Sequence, residues 1–366
     1  MNIILINKAN TGSRPPVISV LYILSDLGFN VKLITCKVSM RFKEMMNKKN
    51  IEVFELPYFN NNSFLGKIKD YLLFRYHALK LIKKNYGYNS LIWIADVPTV
   101  VALGSKIKKY RYKLQIQELH EESKFQLKAI SKVIHNAETV FMPEYNRTII
   151  YQIWFGLEQR PIVLPNKPYF IPKKSELQNL IQKNEKKLSV FKGKKVLLYQ
   201  GGIYKERLLE NITQAVSELN DNFMLLLVGK EQEYGYIDEL RKIDNSIIHV
   251  PYLPAPDYLV YSTVAYMGWL GYSATSLNNA YCAPNKIYEY SAFSLPMIGN
   301  DVPGLRTVLE STKSGIIVDQ SDVQSIKRGI IEIDINYKKY KTNSSKIYQM
   351  SDNNEIIKKS LQKNDN

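Results

Sequence analysis

Cysteine and histidine are scarce in this sequence of 366 residues. The two cysteines, Cys36 and Cys282, are too few for a disulfide framework or a cysteine metal cluster, which favours a reducing cytoplasm. Four histidines are present, and no two of them have the spacing of metal ligands. The sequence therefore predicts neither a disulfide scaffold nor a metal site.

Long apolar runs are also missing. No stretch approaches the roughly 18–20 uninterrupted apolar residues that a membrane-spanning helix needs. The opening sequence MNIILINKAN has a short apolar run without a preceding cationic segment or a cleavage site, which favours a strand over a signal peptide. We therefore expect a cytoplasmic protein that neither crosses a membrane nor is exported through a signal peptide.

Basic residues exceed acidic ones, and the excess lies mainly in the first half. The net charge is +16, and residues 1–165 carry 24 Lys and Arg against 12 Asp and Glu, hence +12. This asymmetry indicates that the first half faces an anionic partner, either nucleic acid or acidic lipid. No nucleic-acid module signature accompanies the cations, so we expect no nucleic-acid partner.

Residues 64–84 are the strongest candidate for contact with a membrane surface. Leu65, Ile68, Leu72, Leu79 and Ile82 recur near helical spacing, with four Lys and Arg residues between them and Lys83 and Lys84 directly after. Such a basic amphipathic helix can lie on an anionic membrane. An ordinary helix that covers a sheet and exposes a charged face has the same pattern.

Short apolar runs alternate with helix-length segments throughout the chain, which predicts parallel strands covered on both faces by helices. The first seven runs are 2–6, 31–35, 51–54, 91–95, 114–117, 139–142 and 162–164. After a Pro-rich and Lys-rich stretch, six more follow at 196–199, 224–228, 247–250, 264–270, 297–299 and 316–318. The fold class is therefore α/β, with two tandem Rossmann-like doubly wound domains facing a cleft.

The domain boundaries follow from this alternation. We predict an N-terminal domain over residues 1–165, an interdomain linker region over 166–194 and a C-terminal domain over 195–335. Residues 336–366 form a helical tail that we expect to pack back toward the N-terminal domain.

The stretch Ala283–Gly304 predicts a turn, a short helix, a buried strand and a Pro303-Gly304 loop. Lys286 and Glu289 are three residues apart on one face of that helix, near a helix N-terminus that favours anions. A nucleoside diphosphate offers such an anion, and its ribose offers hydroxyls to the carboxylate. The alternative is an exposed intrahelical ion pair.

Three other segments carry candidate binding groups. Gly201 and Gly202 end a predicted strand and allow close approach of a ligand, and Arg207 could neutralise a phosphate. A loop rich in hydroxyls and amides, from Ser273 to Cys282, suits the hydroxyls of a sugar and could equally be a connection that faces solvent. His120, flanked by carboxylates after a predicted strand, is either a proton carrier or a surface histidine with incidental pairs.

With these pieces in place, the sequence resembles the GT-B glycosyltransferases, specifically the retaining family 4-like group, also called glycosyl transferases group 1. Four stretches carry the resemblance: YQGGIYKER, PNKIYEYSAFSLPMIG with the following DVPGL, PEYNR, and VLPNKP. The resemblance implies that the N-terminal domain binds the acceptor and the C-terminal domain binds a nucleotide-sugar donor.

The resemblance also implies roles for individual residues. Glu289 matches the carboxylate that holds the ribose of the nucleotide. Arg207 and Lys286 look like the cations that neutralise the departing diphosphate, so that no metal and no cofactor are expected. His120 occupies a place similar to that of a histidine on the acceptor side.

One departure from the family pattern concerns the donor sugar. The group often has a second glutamate eight residues before Glu289, and Tyr281 stands at that position. The resemblance therefore leaves the contact to the sugar to other donor-side residues: Asn278, Asn279 or Asn285.

Together these observations predict a glycosyltransferase that moves a sugar from a nucleotide-diphosphate donor to a saccharide or lipid-linked acceptor. Bacterial surface polysaccharide or glycoconjugate synthesis is the expected setting, at the inner face of the cell membrane. Two alternatives use the same fold: a sugar-nucleotide epimerase, and a non-catalytic binding subunit that the departure at Tyr281 makes conceivable.

Overall fold

The computed structural model describes residues 1–58, 63–169, 171–220 and 222–362. It divides the chain into two compact units, of which the first comprises Met1–Tyr169 with Asp352–Asn366 and the second comprises Phe170–Ser351. The last four residues of the predicted tail, 363–366, lie outside the described residues. Within the described part of the chain, no helix has both the length and the apolar character to span a bilayer.

The first unit contains a parallel sheet of seven strands in the order β3-β2-β1-β4-β5-β6-β7. The strands are β1 (Asn2–Asn10), β2 (Asn30–Cys36), β3 (Glu52–Leu56), β4 (Ser90–Ile94), β5 (Tyr112–Gln115), β6 (Thr139–Met142) and β7 (Ile162–Val163). The helices between them are α1 (Pro15–Asp26), α2 (Met40–Asn47), α3 (Phe64–Asn85), α4 (Val97–Leu103), α5 (Lys124–Ser131) and α6 (Tyr145–Phe155).

The second unit contains a parallel sheet of six strands in the order β10-β9-β8-β11-β12-β13. Its strands are β8 (Lys195–Gln200), β9 (Phe223–Val228), β10 (Ile248–Val250), β11 (Ala265–Leu270), β12 (Met297–Asn300) and β13 (Gly315–Val318). Its helices are α7 (Lys174–Lys183), α8 (Glu185–Leu188), α9 (Leu209–Ser217), α10 (Tyr236–Ile243), α11 (Leu277–Ala280), α12 (Asn285–Ala292), α13 (Pro303–Thr312), α14 (Val323–Ile335) and α15 (Tyr337–Met350). A last helix, α16 (Asn353–Gln362), belongs to the first unit.

Successive side chains of β8 point to opposite faces of the second sheet and are apolar on both, which explains why helices cover both faces. Leu197 and Tyr199 pack into one core with α9, α10 and α14, whereas Leu198 packs into the other core with α12 and α13. Strand β8 is central, since Leu198 pairs with Leu226 of β9 and with Gly268 of β11. The chain leaves β8 toward β9 and leaves β11 toward β12. The sheet therefore has its topological switch point between β8 and β11, where ligands bind in doubly wound folds.

The structure confirms the predicted α/β class of two doubly wound sheets, and each of the thirteen apolar runs contributes to a strand. Helices α7 and α8 occupy the predicted linker region 166–194 and belong to the second unit, as does α15 of the predicted tail. Helix α16 packs on α1 through Ile357, and Lys113 Nζ donates to the carbonyl of Ser360 at 2.9 Å.

One local prediction was wrong. Pro303 and Gly304 do not form a loop but begin α13, with Pro303 in the first turn. Proline is well suited to that position because its fixed φ is helical and its missing N–H has no helical acceptor there.

Candidate active site

Glycines at the carboxyl end of β8 let other backbone and side chains approach closely. Gly201 has φ +132°, and a Cβ placed on it would lie 3.4 Å from Cε of Lys286. Gly229, after β9, has φ +151°, and its Cβ would lie 1.8 Å from the carbonyl oxygen of Gly201. The backbone of Gly201 thus forms one wall beside Lys286, and Gly202 follows it, half-buried. Close approach of a ligand to these two glycines stays a prediction.

Lys286 is a buried cation in the first turn of α12, with only 9% of its surface exposed. Its Nζ lies 4.2 Å from the ring centroid of Tyr199 and 5.4 Å from that of Tyr272. Within the described residues it forms neither a hydrogen bond nor an ion pair. Burial, and then the charge of Arg207, hold the pKa of Lys286 well below its usual value.

Arg207 is the second cation of this site. Its Cζ lies 4.3 Å from the centroid of Tyr272 and 4.5 Å from that of Tyr204, and Nη2 donates to the Tyr204 hydroxyl. Its Nη1 is buried and has no hydrogen-bond partner among the described residues. Burial raises the pKa of the Tyr199 and Tyr272 phenols, so neither is a counterion at neutral pH.

Arg207 and Lys286 therefore form a cation pair around the ring of Tyr272. In the described part of the chain, neither of them forms an ion pair with a carboxylate. Two buried like charges repel, and an unsatisfied guanidinium N–H is costly. Helix α12 adds the partial positive charge of its N-terminus, beginning at Asn285. The arrangement suits an anion with at least two negative charges.

Glu289 lies one helical turn after Lys286 and is only 5% exposed. Its Oε2 accepts a hydrogen bond of 2.5 Å from Gln200 Nε2, and its Oε1 accepts one of 2.6 Å from the Tyr258 hydroxyl. Burial raises the pKa of Glu289, and these two hydrogen bonds oppose that shift. The alternative prediction of an exposed Lys286–Glu289 ion pair is wrong, because both side chains are buried.

The polar loop before α12 is held together by side-chain hydrogen bonds. Asn279 Nδ2 donates to Glu206 Oε2 at 3.2 Å and lies 3.4 Å from Ser273 Oγ. The Ser273 N–H donates to the carbonyl of Glu206 at 3.0 Å. Tyr281 follows the end of α11, half-buried and two residues after Asn279.

His120 lies in the first unit and is not part of this cluster. It follows β5 with φ +62°, and its Nδ1 is 3.0 Å from Gln126 Oε1. Burial is the main cause of its lowered pKa, which Glu118 and Glu121 partly offset, so His120 is neutral at pH 7. Its predicted acceptor-side role stays a prediction.

Sequence reasoning missed the aromatic and amide partners of the site: Tyr199, Gln200, Tyr204, Tyr258 and Tyr272. The residues Tyr199 and Gln200 belong to a buried strand, whose side chains the pattern assigned to the core.

A comparison with protein families identifies the second unit. Residues 181–350 match the family described as glycosyl transferases group 1. This domain makes the chain a glycosyltransferase. Comparison of the sequence with curated proteins gives no match.

Solved structures similar to the glycosyltransferase include Anabaena Alr3699/HepE in complex with UDP and glucose. The two sequences are 15% identical, the match covers 99% of this chain and 100% of that chain, and the TM-score is 0.75. Sucrose-phosphate synthase from Thermosynechococcus elongatus has 16% identity, coverage of 99% and 97%, and a TM-score of 0.70. WaaG, a glycosyltransferase involved in lipopolysaccharide biosynthesis, has 12% identity, coverage of 98% of both chains and a TM-score of 0.64. The glycosyltransferase therefore has the GT-B fold.

Proposed function

We propose that the second unit binds a nucleoside diphosphate sugar, with its diphosphate on Arg207 and Lys286. The observation that carries this proposal is the buried cation pair at the switch point between β8 and β11. Within the part of the chain that the structure describes, Arg207 Nη1 has no hydrogen-bond partner. A diphosphate supplies the negative charges that the pair lacks. The UDP bound in the HepE structure of the same fold supports this donor class.

In the proposed reaction, the bond between the anomeric carbon and the diphosphate oxygen breaks. The anomeric carbon bonds to the oxygen of an acceptor hydroxyl with retained configuration, and the departing diphosphate takes up the proton of that hydroxyl. Arg207 and Lys286 stabilise the charge that develops on the departing diphosphate, a task that a divalent metal performs elsewhere. Glu289 and Asn285 border the nucleotide, and Glu289 accepts from the ribose hydroxyls. Saccharide or lipid-linked molecules of bacterial surface polysaccharide or glycoconjugate synthesis are the proposed acceptors. The involvement of WaaG in lipopolysaccharide biosynthesis supports this setting.

Thermal unfolding in the presence of nucleotides tests the donor class. UDP, GDP, ADP and CMP, each alone and with a sugar attached, are added to the protein with EDTA present. We expect the nucleotides of one of these bases to raise Tm, since a ligand at about 100 times its Kd stabilises the folded protein by about 2.7 kcal/mol. Arg207→Ala should lose the shift, whereas Lys338→Met, an exposed lysine of α15, should keep it. If no nucleotide raises the Tm of the wild type, the proposal is wrong.

We further propose that α3 binds an anionic membrane surface. The helix has two apolar faces, one of which packs into the first unit through Phe74, Ala78 and Ile82. The other face is a stripe of exposed side chains at intervals of four residues: Phe64 (77%), Ile68 (42%), Leu72 (57%) and Tyr76 (63%). Exposed Lys67, Lys69 and Lys80 lie on the same helix. Apolar side chains with lysines suit the boundary between headgroups and acyl chains.

Sedimentation with lipid vesicles tests this surface. The protein should bind vesicles containing phosphatidylglycerol at low salt, and less well at high salt. Replacing Phe64, Ile68 and Leu72 together by serine should weaken binding by at least about tenfold, because even one fully buried apolar side chain contributes about 1.5–3 kcal/mol and about 1.4 kcal/mol is a factor of ten. The control replaces Ile331 and Ile335, exposed on α14 of the second unit, by serine. Equal binding by both variants would contradict the proposal.

A further inference from the structure

Glu206 is an exposed carboxylate next to Arg207 in the chain. The loop after β11 and helix α11 each hold it at one point. Its carbonyl oxygen accepts from the Ser273 N–H at 3.0 Å, and its Oε2 accepts from Asn279 Nδ2 at 3.2 Å. Ser273 Oγ is in turn 3.0 Å from Thr275 Oγ1. These four residues, Glu206, Ser273, Thr275 and Asn279, are called the Glu206 cluster below.

The Glu206 cluster borders the cation pair directly. Tyr272, whose ring contacts Arg207 and lies 5.4 Å from Lys286 Nζ, immediately precedes Ser273. Arg207 immediately follows Glu206. The cluster therefore lies on two chain segments, one that ends directly before Arg207 and one that begins directly after Tyr272. Glu289, by contrast, lies deeper in α12 and is anchored to Gln200 and Tyr258.

The exposed face of the cluster is made of hydrogen-bonding groups. A carboxylate has about four lone-pair positions, and Asn279 occupies one of those of Glu206. The hydroxyls of Ser273 and Thr275 both donate and accept. A sugar hydroxyl that loses water on binding needs such a partner, and a charged acceptor gives the stronger hydrogen bond.

We propose that Glu206, oriented by Asn279, accepts hydrogen bonds from hydroxyl groups of the donor sugar and determines which sugar the site takes. This inference rests on the proposed function, because it assumes that the diphosphate occupies Arg207 and Lys286. The two ends of the nucleotide sugar then have separate partners. Glu289 binds at the nucleoside end, and the Glu206 cluster binds at the sugar end.

Calorimetric titration of Glu206→Gln distinguishes binding at the sugar end from binding at the nucleoside end. The probes are the nucleoside diphosphate that stabilises the wild type and the same nucleotide carrying glucose, galactose or N-acetylglucosamine. We expect the variant to bind the best nucleotide sugar about tenfold more weakly, the loss of one charged hydrogen bond. Its affinity for the free diphosphate should change by less than about twofold, because no phosphate contact is removed. Asn279→Ala should change the two affinities in the same unequal way, to a smaller extent.

Glu239→Gln is the matched control, since Glu239 is exposed and pairs with Lys205 of the same loop at 3.0 Å. It should leave both affinities unchanged. Equal weakening of both ligands by Glu206→Gln, or no weakening of either, would overturn the role of Glu206 while leaving the proposed function intact. A wild type that binds neither ligand would overturn the proposed function, and this inference with it.

Discussion

Lys286→Met is expected to lower the rate of sugar transfer by about a hundredfold or more without destabilising the protein. A preorganised charge that stabilises the developing negative charge of a transition state contributes about 10²–10³ to the rate. Lys286 forms no hydrogen bond or ion pair within the described residues, and its Nζ contacts the rings of Tyr199 and Tyr272. Methionine of similar length therefore removes a buried charge and leaves no polar group unpaired. The measurements are transfer rate at saturating donor and the free energy of unfolding in urea.

The stability of Lys286→Met has a pH signature that a simple packing defect would not produce. The folded-state pKa of Lys286 is lowered, so between that value and its ordinary unfolded value the unfolded chain binds more protons than the folded one. Wild-type stability therefore gains from Lys286 as pH rises through this interval. The variant lacks this contribution. The free energy of unfolding of the variant minus that of the wild type should therefore decrease as pH rises through this interval.

Donor binding gives a second readout for the same residue. A diphosphate next to Lys286 raises its pKa again, because an opposite charge favours the protonated amine. At a pH above the lowered pKa of Lys286 in the free protein, binding should therefore take up a proton, which calorimetry in two buffers of different ionisation enthalpy measures. Lys286→Met should reduce this uptake. If its transfer rate stayed near the wild-type value, the assignment of Lys286 to the diphosphate would be wrong.

The fold could be predicted from the sequence because its strands are short, apolar and separated by helix-length segments. A run such as Met224–Val228 is buried on both faces of a parallel sheet, so its composition alone identifies it. Helix α13 was missed because a Pro-Gly pair is typical of loops and equally compatible with a first helical turn. Local composition does not distinguish these two structures.

The site could be predicted only in part, for a physical reason. Gly201, Arg207 and Lys286 stand out because glycine and charge are unusual next to buried strands. Tyr272 and Gln200 follow or end apolar strands and resemble core residues until the sheet order places β8 beside β11. Glu206 is one exposed carboxylate among many in the sequence, and its hydrogen bonds with Asn279 and Ser273 distinguish it in the structure.

Glu289 differs from Lys286, because its replacement should affect both folding and function. Glu289→Ala removes the acceptor of Gln200 Nε2 and of the Tyr258 hydroxyl, both in buried surroundings. A buried donor left without an acceptor costs about 1–3 kcal/mol. We therefore expect the free energy of unfolding to fall by about 2–4 kcal/mol, measured by urea denaturation, together with loss of transfer.

Glu289→Gln separates the two effects. The new amide can still accept from Tyr258, and rotation of the Gln200 amide lets the Gln200 oxygen accept from the new Nε2. Ser262 Oγ, which donates to Gln200 Oε1 at 3.3 Å, can then act as acceptor for the Gln200 amide. Stability should fall by less than about 1 kcal/mol, while a neutral amide binds the ribose hydroxyls less strongly than a carboxylate. The expected result is a raised KM for the donor in a stable protein. A Glu289→Ala protein as stable as the wild type would show that the carboxylate does not anchor Gln200 and Tyr258.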